Sequence, residues 1–332
     1  MSEATWLAYV RKPFMAALLV ALGGFASLAV ARAQVFPDRN IRIVAPAAAG
    51  GALDLISRIL AQKASELLGR TVLVDNKPGA NMIIGMDSIA KANPDGYNLL
   101  LVSSSAITVN PYVFQRMPLD PAHDLAPILT TTITPYALLL NPGVPARTVA
   151  DFIAYLKANP GKLNHASNSA ATMLVSELFK ALAGVDYVDI NYRGASHAIN
   201  DTIGGQAQFC FVDLGSASTA IKGGTLIPLA LTTPDQFEYY PGIPVFVKQG
   251  LPTYSVMGRT ILAAPGNTPP DIVEALNRLF RNVLASPDVG ERLRGMGQII
   301  GGGAPAETVD ILRAEAAQWE TLVRERHIHF DP

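Results

Sequence analysis

The chain is 332 residues long, 49% hydrophobic and only 16% charged, with 26 Lys+Arg against 27 Asp+Glu. That length suggests two domains with ample core, and so little charge excludes a disordered chain, a coiled coil and an electrostatic nucleic-acid binder. A single cysteine, Cys210, rules out an internal disulfide framework and a Cys-rich zinc site.

Residues 1–33 read as a secretory leader. Arg11 and Lys12 precede an uncharged apolar run over 14–30, and Ala31-Arg32-Ala33 supplies a small-x-small cleavage pattern. The competing reading is an uncleaved anchor, but the run is at the short limit for a span and Gly23-Gly24 interrupts it. The expectation is export to the periplasm with cleavage near Ala33. Loss of Arg11, Lys12, Arg32 and Glu3 then moves the formal charge from −1 to −3. A lone cysteine suits an oxidising compartment, because it cannot pair wrongly within the chain.

Strand-like and helix-like segments alternate from there. A β-rich run at 41–45 is followed by a helix over 54–68, where Ile56, Ile59, Leu60 and Leu67 recur at helical spacing and Gly69 ends the turn. A strand at 71–75, a helix near 84–92 and a strand at 99–102 complete a βαβαβ order, which predicts right-handed crossovers and a mainly parallel sheet. A second series follows, with strands at 136–141, 162–167, 187–191, 208–212 and 226–231. Helices at 149–158, 173–183, 196–203 and 216–221 lie between them. Residues 233–253, rich in Pro and aromatics, read as an ordered surface excursion. A strand at 255–264 then leads into helices over 270–285 and 307–324.

The last strand and helices have no sheet of their own, so the first domain is discontinuous. Residues 36–135 plus 257–332 form one lobe and 136–256 the other, with a hinge between them. The expected fold class is α/β and two-lobed, with a ligand cleft at the carboxyl ends of the strands.

The most informative stretch is Pro46-Ala47-Ala48-Ala49-Gly50-Gly51-Ala52-Leu53-Asp54, between the first strand and the first helix. Free backbone N–H groups and the helix dipole favour an anion there. It has neither the Lys-Ser/Thr ending of a P-loop nor G-x-G-x-x-G. Hydroxylated turns recur after other strands, at Ser103-Ser104-Ser105, Ser167-Asn168-Ser169, Tyr192-Arg193-Gly194-Ala195-Ser196 and Asp213-Leu214-Gly215-Ser216. Each fits an N-cap with no ligand, and their recurrence at strand ends favours binding. Catalytic patterns are poor: there is no G-x-S-x-G elbow and no H-E-x-x-H. His327 and His329 read as a solvated tail, Cys210 as a small core residue, and Arg193 as the one cation in a candidate turn.

Taken together, these segments resemble the Bug-type periplasmic solute receptors of tripartite tricarboxylate transporters. The likeness runs through Phe36-Pro37-Asp38-Arg39-Asn40-Ile41, the Pro46 to Asp54 turn, Asp75-Asn76-Lys77-Pro78-Gly79-Ala80 and Pro94-Asp95-Gly96-Tyr97. It continues through Pro160-Gly161-Lys162-Leu163-Asn164, Glu177-Leu178-Phe179, Tyr192-Arg193-Gly194 and Gly204-Gly205-Gln206. Gly250-Leu251-Pro252, Ala264-Pro265-Gly266, Thr268-Pro269-Pro270 and Trp319 complete it.

The resemblance implies a Venus-flytrap receptor that closes on a small carboxylate without catalysis or cofactor. It would be a monomer that delivers its solute to integral membrane subunits of a transporter. Carried onto this chain, the ligand residues are Ala48, Gly50 and Asp54's turn, Ser104, and Ser167, Asn168 and Ser169. Tyr192, Gly194 and the residues after Phe211, including Asp213, would line the opposite wall. The sequence departs from the family where ligand is held: the second-lobe turn lacks its glycines, Met173 replaces a common histidine, and the usual F-D-N is Phe211-Val212-Asp213. Asp213 disfavours a polyanionic ligand and leaves a monocarboxylate or an amino-bearing carboxylate. Two other readings stay open: a co-receptor for a signalling system, and a hydrolase or lyase using His197, Asp213 or Cys210.

Overall fold

Each of the first three strands runs into a helix, and the chain keeps to that rhythm almost to its end. The computed structural model describes residues 36–326, so the expected leader and the His327 and His329 tail lie outside the described residues. β1 (Ile41–Ala45) leads into α1 (Ala52–Leu68), and β2 (Val72–Asn76) into α2 (Ile83–Ala90). β3 (Asn98–Ser103) meets three short helices, α3 (Ser104–Thr108), α4 (Asn110–Val113) and α5 (Pro121–Asp124). A long strand, β4 (Leu125–Leu140), opens the second series: α6 (Val149–Ala158), β5 (Asn164–Ser167), α7 (Ala170–Ala183), β6 (Val188–Asn191) and α8 (Ala195–Gly204). β7 (Phe209–Asp213), α9 (Leu214–Lys222) and β8 (Ile227–Leu231) follow. The chain closes with β9 (Met257–Pro265), α10 (Pro270–Ala285), α11 (Pro287–Gly295), β10 (Ile299–Gly302) and α12 (Pro305–Arg326).

Local chemistry sets many of these limits. α1 buries Ile56, Ile59, Leu60 and Ala64 on one face, and it stops at Gly69, whose φ of 64° is left-handed. Thr148 with Asp151 and Ser169 with Thr172 form reciprocal capping pairs that start α6 and α7.

The sheet is mixed, which corrects the mainly parallel expectation. β1 pairs in parallel with β2 and β3, and β5 with β6 and β7. The two groups are joined through β9, antiparallel to β3, and β4, all of whose partners are antiparallel. From Leu125 to Pro135 it pairs with β9, and from Tyr136 to Leu140 with β7, so the change of partner falls between Pro135 and Tyr136. β10 and β8 also pair with β4. A strand returning from the second group reaches the first by reversing, so no crossover helix makes this junction parallel. The sequence pattern marked only the Tyr136 end. Pro127 and Pro135 obscure the rest, and a register shift after Pro127 lets the ladder accommodate the first of them.

β7 is buried on both faces. Phe209 and Phe211 pack with Phe152, Phe179, Phe246 and Tyr254 on one side, while Cys210 and Val212 pack with Ala198, Leu214 and Ala217 on the other. Burial pushes the Cys210 thiol up to about 12, so it sits in the core as a small apolar group. The 233–253 segment is only partly a surface excursion. Val245 bridges Leu231, and Phe246 is fully buried with its ring centroid 4.5 Å from that of Tyr254.

Candidate functional site

At the end of β1 the chain turns through Gly50, whose φ of 83° is left-handed, into Gly51 at the N-cap position of α1. Gly51 has no side chain with which to cap the helix. Asp54 in the first turn does not cap it either, because its buried carboxylate folds back. Its Oδ2 accepts from Gly50 N–H at 2.8 Å and from Arg58 Nε at 3.0 Å. Its Oδ1 accepts from Asn76 Nδ2 at 2.9 Å and faces Arg58 Nη2 at 2.9 Å. The Arg58 hydrogen bond holds this carboxyl down at about 2 against the opposing push of burial, with Gly50 and Asn76 assisting. Asp54 therefore fixes the turn from behind. The N–H groups of Ala52 and Leu53 meet no acceptor among the described residues.

Ala52, Leu53 and Ile56 form one wall of a cavity of about 200 Å³. Asn168, Ser169 and Thr172 of the α7 N-terminus form a second, and Asp213 a third. Unlike α1, α7 starts with a side-chain cap. Asn168 and Ser169 both donate their N–H to Thr172 Oγ1, and Thr172 N–H donates to Ser169 Oγ. Asn168 Oδ1 is buried without a donor among the described residues. Asp213 caps α9, its Oδ1 accepting from Ser216 N–H at 2.8 Å.

Two further chambers adjoin this cavity through shared walls. One, of about 290 Å³, lies between Ser103, Ser105, Asn110 and Ser169, beneath Asn81 and Met82. Ala80, Asn81 and Met82 all take positive φ (45°, 48° and 73°), an uncommon run for residues with a Cβ. Asn110 Nδ2 pins this turn by donating to Asn81 O at 2.9 Å. The other chamber, of about 20 Å³, is the size of one water and lies among Ser104, Tyr136, Glu315 and Trp319. Glu315 pairs with Arg259 and bonds Ser104, yet burial raises its carboxyl overall. Burial also drives the Tyr136 hydroxyl upward, with Asp213 and Glu315 adding to it, so that side chain stays neutral. Among the residues lining these three chambers, Glu315 has its counter-charge in Arg259, while Asp213 faces no described cation.

The predicted residues divide by place. Asn168, Ser169 and Asp213 line the main cavity, and Ser104 lines the small chamber. Ala48 and Gly50 are exposed on the turn that leads to it. Asp54 turns inward, as described. Ser167 is buried beneath, with its Oγ 3.4 Å from Ile190 O. Tyr192 packs on the cluster around Ala198 and Leu214 and hydrogen-bonds Asp201, and Gly194 starts α8 beside it. Arg193 and His197 are exposed on that same turn and helix.

Met82, Thr134, Tyr136, Thr260, Gln298 and Glu315 were not anticipated at the site. The first carried a signal, since it follows the Lys77-Pro78-Gly79 turn. Gln298 and Glu315 carried none, because they arrive from elements far along the chain. A hollow of about 400 Å³ elsewhere, between Ile107, Pro127, Leu312 and Ala316, is larger but has fewer convergent polar groups. Among the described residues no group of His, Cys, Asp and Glu is placed to hold a metal ion. No described helix is long and apolar enough to cross a membrane.

Residues 56–328 match the sequence profile of the tripartite tricarboxylate transporter family receptor. Protein BugT of Bordetella pertussis is 31% identical over 318 residues, covering 94% of this chain and 98% of BugT. A solved structure of R. palustris Rpa4515 with adipate is 28% identical with a TM-score of 0.78, covering 89% of this chain and 99% of that one. The periplasmic binding protein BugD is 26% identical with a TM-score of 0.74, covering 89% of this chain and 99% of BugD. This chain shares their two-lobed α/β fold.

Proposed function

Because the chain belongs to the tripartite tricarboxylate transporter receptor family, we propose that its cavity captures a small carboxylate-bearing solute for delivery to the membrane subunits of such a transporter. The observation that carries this reading is the uncapped start of α1, whose Ala52 and Leu53 N–H groups open on a cavity of about 200 Å³. A carboxylate there accepts two charge-assisted hydrogen bonds and lies at the positive end of a 17-residue helix. The adipate bound by the R. palustris relative is a solute of that class.

Around that anchor, Ala48 and Gly50 shape the approach, Ser104 and Ser169 offer hydroxyls, and Asn168 and Asp213 close the far wall. Ser167, Tyr192 and Gly194 hold the second wall in place. The lobes are read as 36–135 with 257–332 and 136–256. They hinge where β4 changes partners and where the chain re-enters β9. Residues 1–33 act as the export leader, cleaved near Ala33, and the mature receptor works in the periplasm as a monomer.

No covalent step is needed for this role: the solute leaves chemically unchanged. A thermal-shift screen of the purified protein over mono-, di- and tricarboxylates, aromatic acids and amino acids is the direct test. A true ligand at a hundredfold excess over its Kd adds about 2.7 kcal/mol of stability. If every carboxylate leaves the transition where it was, the proposal fails.

A further inference from the structure

The site has two chemically opposite ends. At α1 the protein presents donors that meet no acceptor among the described residues, the N–H groups of Ala52 and Leu53. Across the same cavity it presents acceptors. Asp213 commits Oδ1 to the Ser216 N–H, and no donor among the described residues meets its Oδ2. Asn168 Oδ1, buried on the neighbouring wall, is likewise without a donor. The other charge in the lining, Glu315, is already matched by Arg259.

Resting on the carboxylate reading above, we infer that the preferred solute is an amino carboxylate, held with its carboxylate at the α1 N-terminus and its ammonium or N–H group at Asp213. The argument is one of satisfaction. Closing the site over a plain monocarboxylate strips water from Asp213 and brings its free oxygen no donor from the ligand. A dicarboxylate brings a second negative charge toward it in a medium of reduced dielectric. An ammonium group supplies donors and the opposite charge together. The sequence alone left the plain and the amino-bearing acid both open. The structure separates them by placing Asp213 in the cavity, with one oxygen unmatched.

The test is calorimetry on the purified protein with three matched sets of four-, five- and six-carbon chains. Each set contains the unsubstituted monocarboxylate, its α- and ω-amino derivatives, and the dicarboxylate. The expected result is that an amino derivative binds at least tenfold more tightly than the plain acid and the dicarboxylate of its set. Asp213→Asn keeps an N-cap of equal quality, so the fold is preserved. It should cost the amino acid at least tenfold and change the plain acid by less than twofold. A dicarboxylate that binds the native chain as tightly as the amino acid overturns this inference while leaving the carboxylate reading intact. So does a preference that survives Asp213→Asn. Failure of every compound to bind overturns both.

Discussion

α1 and α9 each follow a strand and carry an aspartate near the helix start, and they use that aspartate oppositely. Asp213 is the N-cap of α9 and takes up its own helix's Ser216 N–H. Asp54 sits inside α1 and turns back to Gly50, Arg58 and Asn76, so the first N–H groups of α1 stay open. α7 sides with α9 in carrying a side-chain cap, Ser169 Oγ accepting from the Thr172 N–H. A strand–turn–helix unit becomes a binding end when its capping group is drawn away from the helix and held elsewhere. The same carboxylate placed one turn earlier accepts from its own helix instead.

Four measurements break or sharpen that contrast. The largest effect is expected from Asp54→Ala, which leaves Arg58, Asn76 and the Gly50 N–H without their shared acceptor. Urea unfolding should show a loss of about 3 kcal/mol, in the range for breaking a buried polar network. A loss below about 1 kcal/mol would mean the turn does not depend on it.

Next comes Ala52→Pro, which removes one open donor without disturbing the helix. Proline is favoured at the first helical position, and Gly51 before it already has the extended backbone (φ −73°, ψ 164°) that proline requires. Carboxylate affinity should fall about 10- to 100-fold, from the loss of one hydrogen bond to a charged group worth about 1.5–3 kcal/mol. The melting temperature of the free protein should barely move. Unchanged affinity would remove α1 as the anchor.

The third is acid titration. The Asp54 carboxyl lies at about 2 in the folded chain against 3.8 in the free group, so the unfolded state binds the proton first. Its contribution is complete above the unfolded value and is lost as the pH falls from about 4 toward 2. Screening by the half-exposed Arg58 trims this to about 1–2 kcal/mol. The urea midpoint of Asp54→Asn should be less sensitive than the native midpoint over that interval; equal slopes would assign the acid loss elsewhere. The smallest is Ser169→Ala, worth about 1 kcal/mol of α7 stability as a lost N-cap. It should weaken carboxylate binding far less than Ala52→Pro does, and a larger loss of affinity would move the anchor to α7.

How much was legible varies with how local the signal is. α1 was read to its last residue because Ile56, Ile59 and Leu60 share a face and Gly69 ends it. α6 was placed at both its ends, which Thr148 and the buried Val149, Phe152 and Leu156 mark in the structure. β10 was missed, since Ile299-Ile300-Gly301-Gly302 is short, ends in two glycines and is a strand through pairing with β4. α11 was missed beside it. Of the candidate site, Asn168, Ser169 and Asp213 were visible because the first two follow a strand and the third ends one. Trp319 entered through the family pattern and is found both in the core and at the small chamber.

The sequence by itself determined the order of the longer elements, the approximate limits of their helices and the family. Each of these is written in periodicity, caps and short local motifs in a fixed order along the chain. Only the tertiary structure decided that β4 is one strand shared by both groups of the sheet. It also decided that Asp54 faces away from the cavity and that Gln298 and Glu315 come to it. The reason is physical: a cavity wall is assembled from residues more than a hundred positions apart, and the direction a carboxylate takes depends on which distant donor, here Asn76 for Asp54, lies within reach of it.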